Sequence, residues 1–259
     1  MEKKTIDVSD GAAIPRKKDA GLFSAWRISF AGALIILLGL VVFEPDPYLK
    51  ILKFLPDGIL ITFEVTIFAI IFAVLLGLLT GLGRISKNPF INAVASTYVE
   101  VVRGIPLLVQ LFYIYYALGR FVRLPDMVAA IIAMSLCYGA YMGEVFRAGI
   151  ESIDKGQMEA ARSLGFNRTQ TMFYVILPQA WRTILPPVGN EFIALLKDTS
   201  LVSILAVADM LRRGREFASE TFTYFETYTV IALVYLLITL LLSKTVSILE
   251  EKLNYYDQS

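Results

Sequence analysis

The chain has 259 residues, 56% of them hydrophobic and 18% charged, with a mean hydropathy of +0.63 and a formal net charge of +1. Soluble domains carry nearer a quarter charged residues, so this composition excludes an ordinary soluble fold, and near-neutrality offers no footprint for nucleic acid. The absence of histidine and the single cysteine, Cys137 inside an apolar run, exclude an internal disulfide, a thiol metal cluster and the commonest general base.

About 20 apolar residues in a helix cross a hydrocarbon core of about 30 Å, and six stretches qualify as candidates. The first, 22–43, has its uninterrupted apolar part at 28–43 and is stopped by Glu44-Pro45-Asp46-Pro47. Its long basic leader and the lack of a small-residue cleavage pattern after Phe43 favour a retained span over a secretory signal. The second is 59–83, the third 98–118 and the fourth 127–146. The fifth, 183–197, is short and contains Asn190 and Glu191; residues 201–210 follow as a re-entrant piece or a buried short helix, and 228–248 is the sixth. Gly77 and Gly81, like Gly139 and Gly143, are four apart and put smooth patches on helix faces where a neighbouring backbone can approach.

Basic residues are retained on the cytoplasmic side. With the N-terminus inside, 15 of the 24 Lys and Arg fall in cytoplasmic segments and 7 outside, with Arg103 and Lys197 left within spans. The expected topology is therefore a multi-pass protein with both termini cytoplasmic; Arg212-Arg213-Gly214-Arg215, placed outside, is the local exception.

Between the fourth and fifth spans lies a polar stretch, DKGQMEAARSLGFNRTQTMFYVILPQA, over residues 154–180. Asp154 with Gln157 three residues on, and Gly165 at the far end, predict one short helix over 155–164. Asn167 with Gln170 starts a second, running towards Leu177 before Pro178. Such a pair either transmits a push between spans or lies as an amphipathic element on the membrane surface.

Glu159-Ala160-Ala161, then Gly165, then Val175-Ile176-Leu177-Pro178 resembles the EAA loop of membrane-spanning subunits of ATP-binding-cassette importers, with Val175 a conservative departure. Residues 102–110, VRGIPLLVQ, and 190–200, NEFIALLKDTS, are similar to signatures of the branch that serves polar amino acids such as arginine, histidine, lysine, glutamine and glutamate. The resemblance covers about 52–253. It implies an all-α, polytopic transmembrane bundle: a five-span type I importer core at 51–253, with the coupling loop at 150–178. To this core is added an N-terminal span with its outer loop at 28–50, between cytoplasmic tails at 1–27 and 254–259. It also implies location in the cytoplasmic (inner) membrane, a second and identical permease subunit, a cytoplasmic dimer of ATPases, and an external substrate-binding protein. Gly156, Glu159, Ala160, Ala161 and Gly165 are implied to engage the ATPase, small side chains letting the helix seat closely. The chain lacks the Gly-rich phosphate cradle followed by Lys. Hence it is expected to be no enzyme and to bind no cofactor or metal, with ATP and magnesium held by the partner.

Ionisable groups within spans are functional candidates by default. Glu144 and Arg147, and likewise Glu100 and Arg103, are three apart and can pair on one helix face. Glu191 and Asp198 are seven apart, about 10 Å along one face, and could meet the two ends of an extended cationic amino acid. Asn190, Thr199 and Ser200 supply further hydrogen-bonding groups. Glu191 is read as a substrate or gate contact. Asp198, Lys197 and Thr199 can equally cap the helix end, and Lys197 could bind a substrate carboxylate or neutralise Asp198. Glu64 joins the candidate substrate-binding residues. Carboxylates outnumber bases in this set, favouring a cationic amino acid over glutamine. The competing reading is an ion-coupled secondary amino acid transporter using Glu64 or Glu191 as its ion site.

Overall fold

The computed structural model describes residues 24–255, and the terminal tails expected at 1–27 and 254–259 fall largely outside them. The chain forms α1 (Ala25–Phe43), α2 (Pro45–Phe54), α3 (Pro56–Arg84), α4 (Pro89–Gly104) and α5 (Leu107–Phe112). There follow α6 (Asp126–Glu151), α7 (Lys155–Ser163), α8 (Arg168–Thr171), α9 (Leu177–Asp198), α10 (Met210–Thr221) and α11 (Tyr224–Tyr255). Prolines open several of them (Pro45, Pro56, Pro89), where a missing N–H is harmless and a fixed φ helps. Ser24 and Asn88 cap α1 and α4 with side-chain oxygens.

Among the described residues four helical stretches are long and apolar enough to cross a membrane: Ala25–Phe43, Pro45–Arg84, Asp126–Glu151 and Tyr224–Leu253. A fifth qualifies only as a bent pair, Pro89–Gly104 with Leu107–Arg120, which turn by 102°. The expected single span over 98–118 is therefore corrected. Pro106 excludes Ile105 from the helical region, and Ile105 is extended at φ −108°, ψ 129°. α9 is not apolar enough to join the four, but it packs against both α6 and α11 and so belongs to the bundle.

The centre of the bundle is the α3–α6 pair. The two small-residue patches face each other: a side chain on Gly77 would run into Met142, one on Gly81 would come 2.7 Å from Phe146 Cβ, and one on Gly143 would strike Thr80. Close backbone approach of this kind replaces the hydrophobic drive that lipid cannot supply. Around it, Leu111, Ile114, Ile176, Ile184, Leu195 and Val202 complete one core. Residues 199–205 form a 3₁₀ turn whose Val202 and Leu205 are fully buried, so the stretch after α9 is a buried short helix.

The second helix of the polar loop, expected to end before Pro178, does not stop there. α8 runs through a π-helical turn, Met172–Ile176, directly into α9. That wider turn lies immediately before Pro178 and accommodates a residue with no N–H to donate. The result is one helical run from Arg168 to Asp198, with Pro186 and Pro187 inside it.

Candidate functional site

The break between α4 and α5 builds one side of the site. Gln110 on α5 turns back and donates through Nε2 to the carbonyls of Val102 and Ile105, 2.8 Å each, holding the corner that Pro106 opens. The same nitrogen lies 3.7 Å from Cys137 Sγ on α6. Arg103, at the end of α4, is thereby set over the Tyr141 ring at 5.2 Å, a cation–π contact across to α6. No ion pair joins it to Glu100 among the described residues, so the intrahelical pairing weighed from the spacing does not form.

One turn away on α6, Tyr138 donates from its hydroxyl to Asp198 Oδ2 at 2.8 Å, and its ring lies 5.9 Å from that of Tyr141. Glu191 feels the charges of Arg103 and Asp198, though it makes no hydrogen bond or ion pair to either among the described residues. Three helices thus converge a guanidinium, two carboxylates and two phenols. Glu191 is half-buried, and Asp198 keeps one oxygen beyond the bond from Tyr138.

The other expected contacts are placed differently. Glu64 is exposed on α3 and has no hydrogen bond or ion pair to this cluster among the described residues. Asn190 is exposed, and Ser200 is half-buried. Thr199 is fully buried and donates to Leu196 O at 2.6 Å, the helix-capping alternative for that residue. Lys197 is exposed, and the bonded partner of Asp198 is Tyr138, not Lys197. An apolar cavity of about 580 Å³ between α3 and α6, lined by Phe68, Phe72, Leu75 and Leu136, contains no charged side chain and shares no residue with the cluster. Among the described residues no group of acidic or thiol side chains is placed to hold a metal ion.

At the Arg84 end of the bundle, Glu144 bonds both Arg84 of α3 and Arg147, and Arg147 also bonds Glu151. The expected Glu144–Arg147 pair is present, with a second helix tied in. A cleft of about 890 Å³, lined by Arg84, Glu151, Lys155, Met158 and Arg162 among others, separates this network from the polar loop.

In the loop, Asp154 Oδ1 accepts from Gly156 N at 2.7 Å and starts α7. Gly165, at φ +90°, ends it in a left-handed cap: Gly165 N donates to Arg162 O and Phe166 N to Ala161 O. Asn167 and Gln170 form a reciprocal capping box. Glu159 and Ala160 are exposed while Ala161 is buried. Leu164 is 80% exposed and Tyr174 73%, so a polar segment presents large apolar side chains outward, as a docking surface does. Gln157 and Gln179 are in contact at 3.4 Å, fastening α7 to the start of α9.

The profile of the family described as the binding-protein-dependent transport system inner membrane component matches residues 73–255. The chain belongs to this family. Among its relatives, the L-cystine transport system permease protein of Bacillus subtilis (strain 168) is 43% identical over 204 residues, 78% of this chain and 87% of that one. The glutamine transport system permease protein of Escherichia coli (strain K12) is 37% identical over 200 residues, 76% and 91% of the two chains. A crystal structure of an amino acid ABC transporter with histidines is 41% identical and superposes with a TM-score of 0.75, covering 83% of this permease and 98% of that chain. An inward-facing methionine transporter structure, at 19% identity and a TM-score of 0.64, shares the fold.

Three members of the permease cluster were not assigned to it from sequence: Arg103, Tyr138 and Tyr141. Arg103 stood out only as a charge near its own helix end. The tyrosines carry only a weak signal, because which α6 face meets α4 and α9 depends on the bend at Pro106. A Tyr at positions 138 and 141, three apart and so on one face, was the available hint.

Proposed function

We propose that this chain is the translocation-pathway subunit of an ATP-driven importer for polar, cationic amino acids. Family membership and relatives named for glutamine and cystine transport support the amino acid class, and they disfavour the ion-coupled alternative. The observation that carries the substrate reading is the convergence of Arg103, Glu191 and Asp198. A free amino acid presents a carboxylate and an ammonium group together. A guanidinium steadied on an aromatic ring suits the first, and carboxylates suit the second. Two carboxylates against one guanidinium leave room for a second positive charge on the substrate, as in arginine, lysine or histidine. In this reading Asn190 and Ser200 border the site, Thr199 supports its helix, and Glu64 lines the approach.

The loop at 154–178 is the proposed grip for a separate cytoplasmic ATPase, with Gly156, Glu159, Ala160 and Gly165 at the contact and Ala161, buried within the chain, seating α7 behind it. ATP and magnesium belong to that partner, an external binding protein delivers the substrate, and a second, identical permease completes the pathway. The chain sits in the inner membrane with both termini cytoplasmic. The unbroken helical run from α8 through α9 supports coupling: Leu177 and Glu191 are fourteen residues apart, about 21 Å of helical rise, and Pro186 and Pro187 between them are where that run can bend as the loop is pushed.

The test is ATP hydrolysis by the permease co-purified with its ATPase, reconstituted with binding protein across a panel of amino acids. Stimulation by arginine, lysine or histidine, lost in Glu191→Gln, is the expected result. Stimulation by glutamine alone rejects the cationic preference, and unchanged stimulation in Glu191→Gln removes that residue from the site.

A further inference from the structure

We propose that the cleft between the start of α1 and α11 binds the phosphate of an anionic phospholipid, which fastens the added N-terminal helix to the bundle. The cleft has a volume of about 280 Å³ and is lined by Ser24, Trp26, Arg27, Ser243, Lys244 and Ser247. Among the described residues it holds two cations from two different helices and no acidic side chain. Neither Arg27 nor Lys244 has an ion-pair partner among the described residues. Two like charges that share a small cleft repel unless an anion enters between them. Three serine hydroxyls stand around them as additional donors. That donor set fits the oxygens of a phosphate ester.

Position supplies the source. α1 becomes apolar immediately after Arg27, with Ile28, Ile35 and Leu38 each more than half exposed, so the cleft sits where the hydrocarbon region ends. Trp26 marks the same level. Its indole Nε1 donates to Leu240 O at 2.7 Å, and its ring stacks on Phe30 at 5.1 Å. Basic pockets between spans at this depth hold anionic head groups, and acyl chains can lie along the exposed face of α1 below. The helix is otherwise lightly anchored among the described residues, packing on α2 and α11. Among the described residues, Ala33 and Leu37 are the buried positions of α1, and the Trp26 hydrogen bond with a thin apolar seam holds it to α11. A head group bridging Arg27 and Lys244 adds an ionic tie across that seam.

The experiment uses the complete permease–ATPase complex, delipidated and returned to bilayer discs of phosphatidylcholine with or without phosphatidylglycerol. Retained lipid is read by native mass spectrometry. The wild-type complex is expected to retain phosphatidylglycerol roughly ten-fold or more above the double variant R27Q/K244Q, since each basic group near a membrane surface contributes to anionic lipid attraction. R27K/K244R should retain it. K53Q/R123Q, which removes the same charge elsewhere, should retain it as well. Equal retention by R27Q/K244Q, or retention of phosphatidylcholine equal to that of phosphatidylglycerol, overturns the proposal. A last arm adds inorganic phosphate alone to the complex in neutral detergent. A thermal shift there that needs Arg27 and Lys244, with no selective lipid retention, overturns the lipid as the source of the phosphate.

Discussion

The hydroxyl of Tyr138 on α6 donates to Asp198 Oδ2 at the end of α9, 2.8 Å away, and so joins the central helix of the bundle to the helical run that continues from the polar loop. Removing the hydroxyl leaves Asp198 with one hydrogen-bond partner fewer. Tyr138→Phe is expected to weaken the half-maximal substrate concentration for ATPase stimulation about five-fold, the equivalent of one ordinary hydrogen bond of about 1 kcal/mol. An unchanged half-maximal concentration with an unchanged melting temperature would detach this bond from substrate handling.

Gly165 holds φ +90° at the end of α7 and has open space around it, so a substitution there strains the backbone without colliding with a neighbour. Gly165→Asp should cost about 1–2 kcal/mol locally. It should abolish substrate-stimulated ATP hydrolysis and uptake while the apolar helices assemble normally. Uptake at wild-type rate in membranes containing Gly165→Asp would reject the coupling role of the loop.

Gly81 packs against Phe146 and the carbonyl of Gly143, where an added Cβ would lie 2.7 Å and 2.9 Å from its neighbours, one of them backbone. Gly81→Ala is expected to destabilise the purified protein by about 1–3 kcal/mol, as overpacking of tight interiors does. Gly32→Ala on α1 meets nothing within 4 Å and serves as the comparison. Thermal unfolding followed in parallel on the two variants distinguishes them; equal midpoints would contradict the close α3–α6 seam.

Asp209, in the connection before α10, is fully buried and accepts from the backbone N–H groups of Leu211 and Arg212 at 3.2 and 3.0 Å. Burial pushes its carboxyl up to about 6 from its ordinary value of 3.8, against the pull of those amides and of Arg212 and Arg215. Between about pH 4 and 6 the folded state holds the proton more tightly than the unfolded chain, so stability falls as pH rises through this window and levels off above it. Asp209→Asn keeps a good cap and should flatten that slope, which a series of melting curves from pH 4 to 7.5 would reveal. A slope of the same size in the variant assigns it to other groups.

The apolar runs and the turn chemistry were readable in the sequence because both are local. Helix length follows from a continuous apolar stretch, Gly165 in its left-handed cap from the absence of a Cβ, and the Asn167–Gln170 box from a spacing of three. The facing glycines of α3 and α6 were also visible as a four-residue spacing, though not which pair met which. The family resemblance at 154–178 rested on the same short-range order. The break at Pro106 is equally local, but the apolar content of 98–118 masks it in the hydropathy pattern.

What only the tertiary structure decided is which charges meet. Arg103 is three residues from Glu100, so spacing offers a partner along its own helix. Folding instead turned Arg103 onto Tyr141 and brought Tyr138 to Asp198, because the bend at Pro106 and the α6–α9 packing set helix faces against one another. Covalent order determines what a residue can reach within one or two turns. Contacts between charges on separate helices depend on crossing angles and rotations that no short stretch of sequence contains.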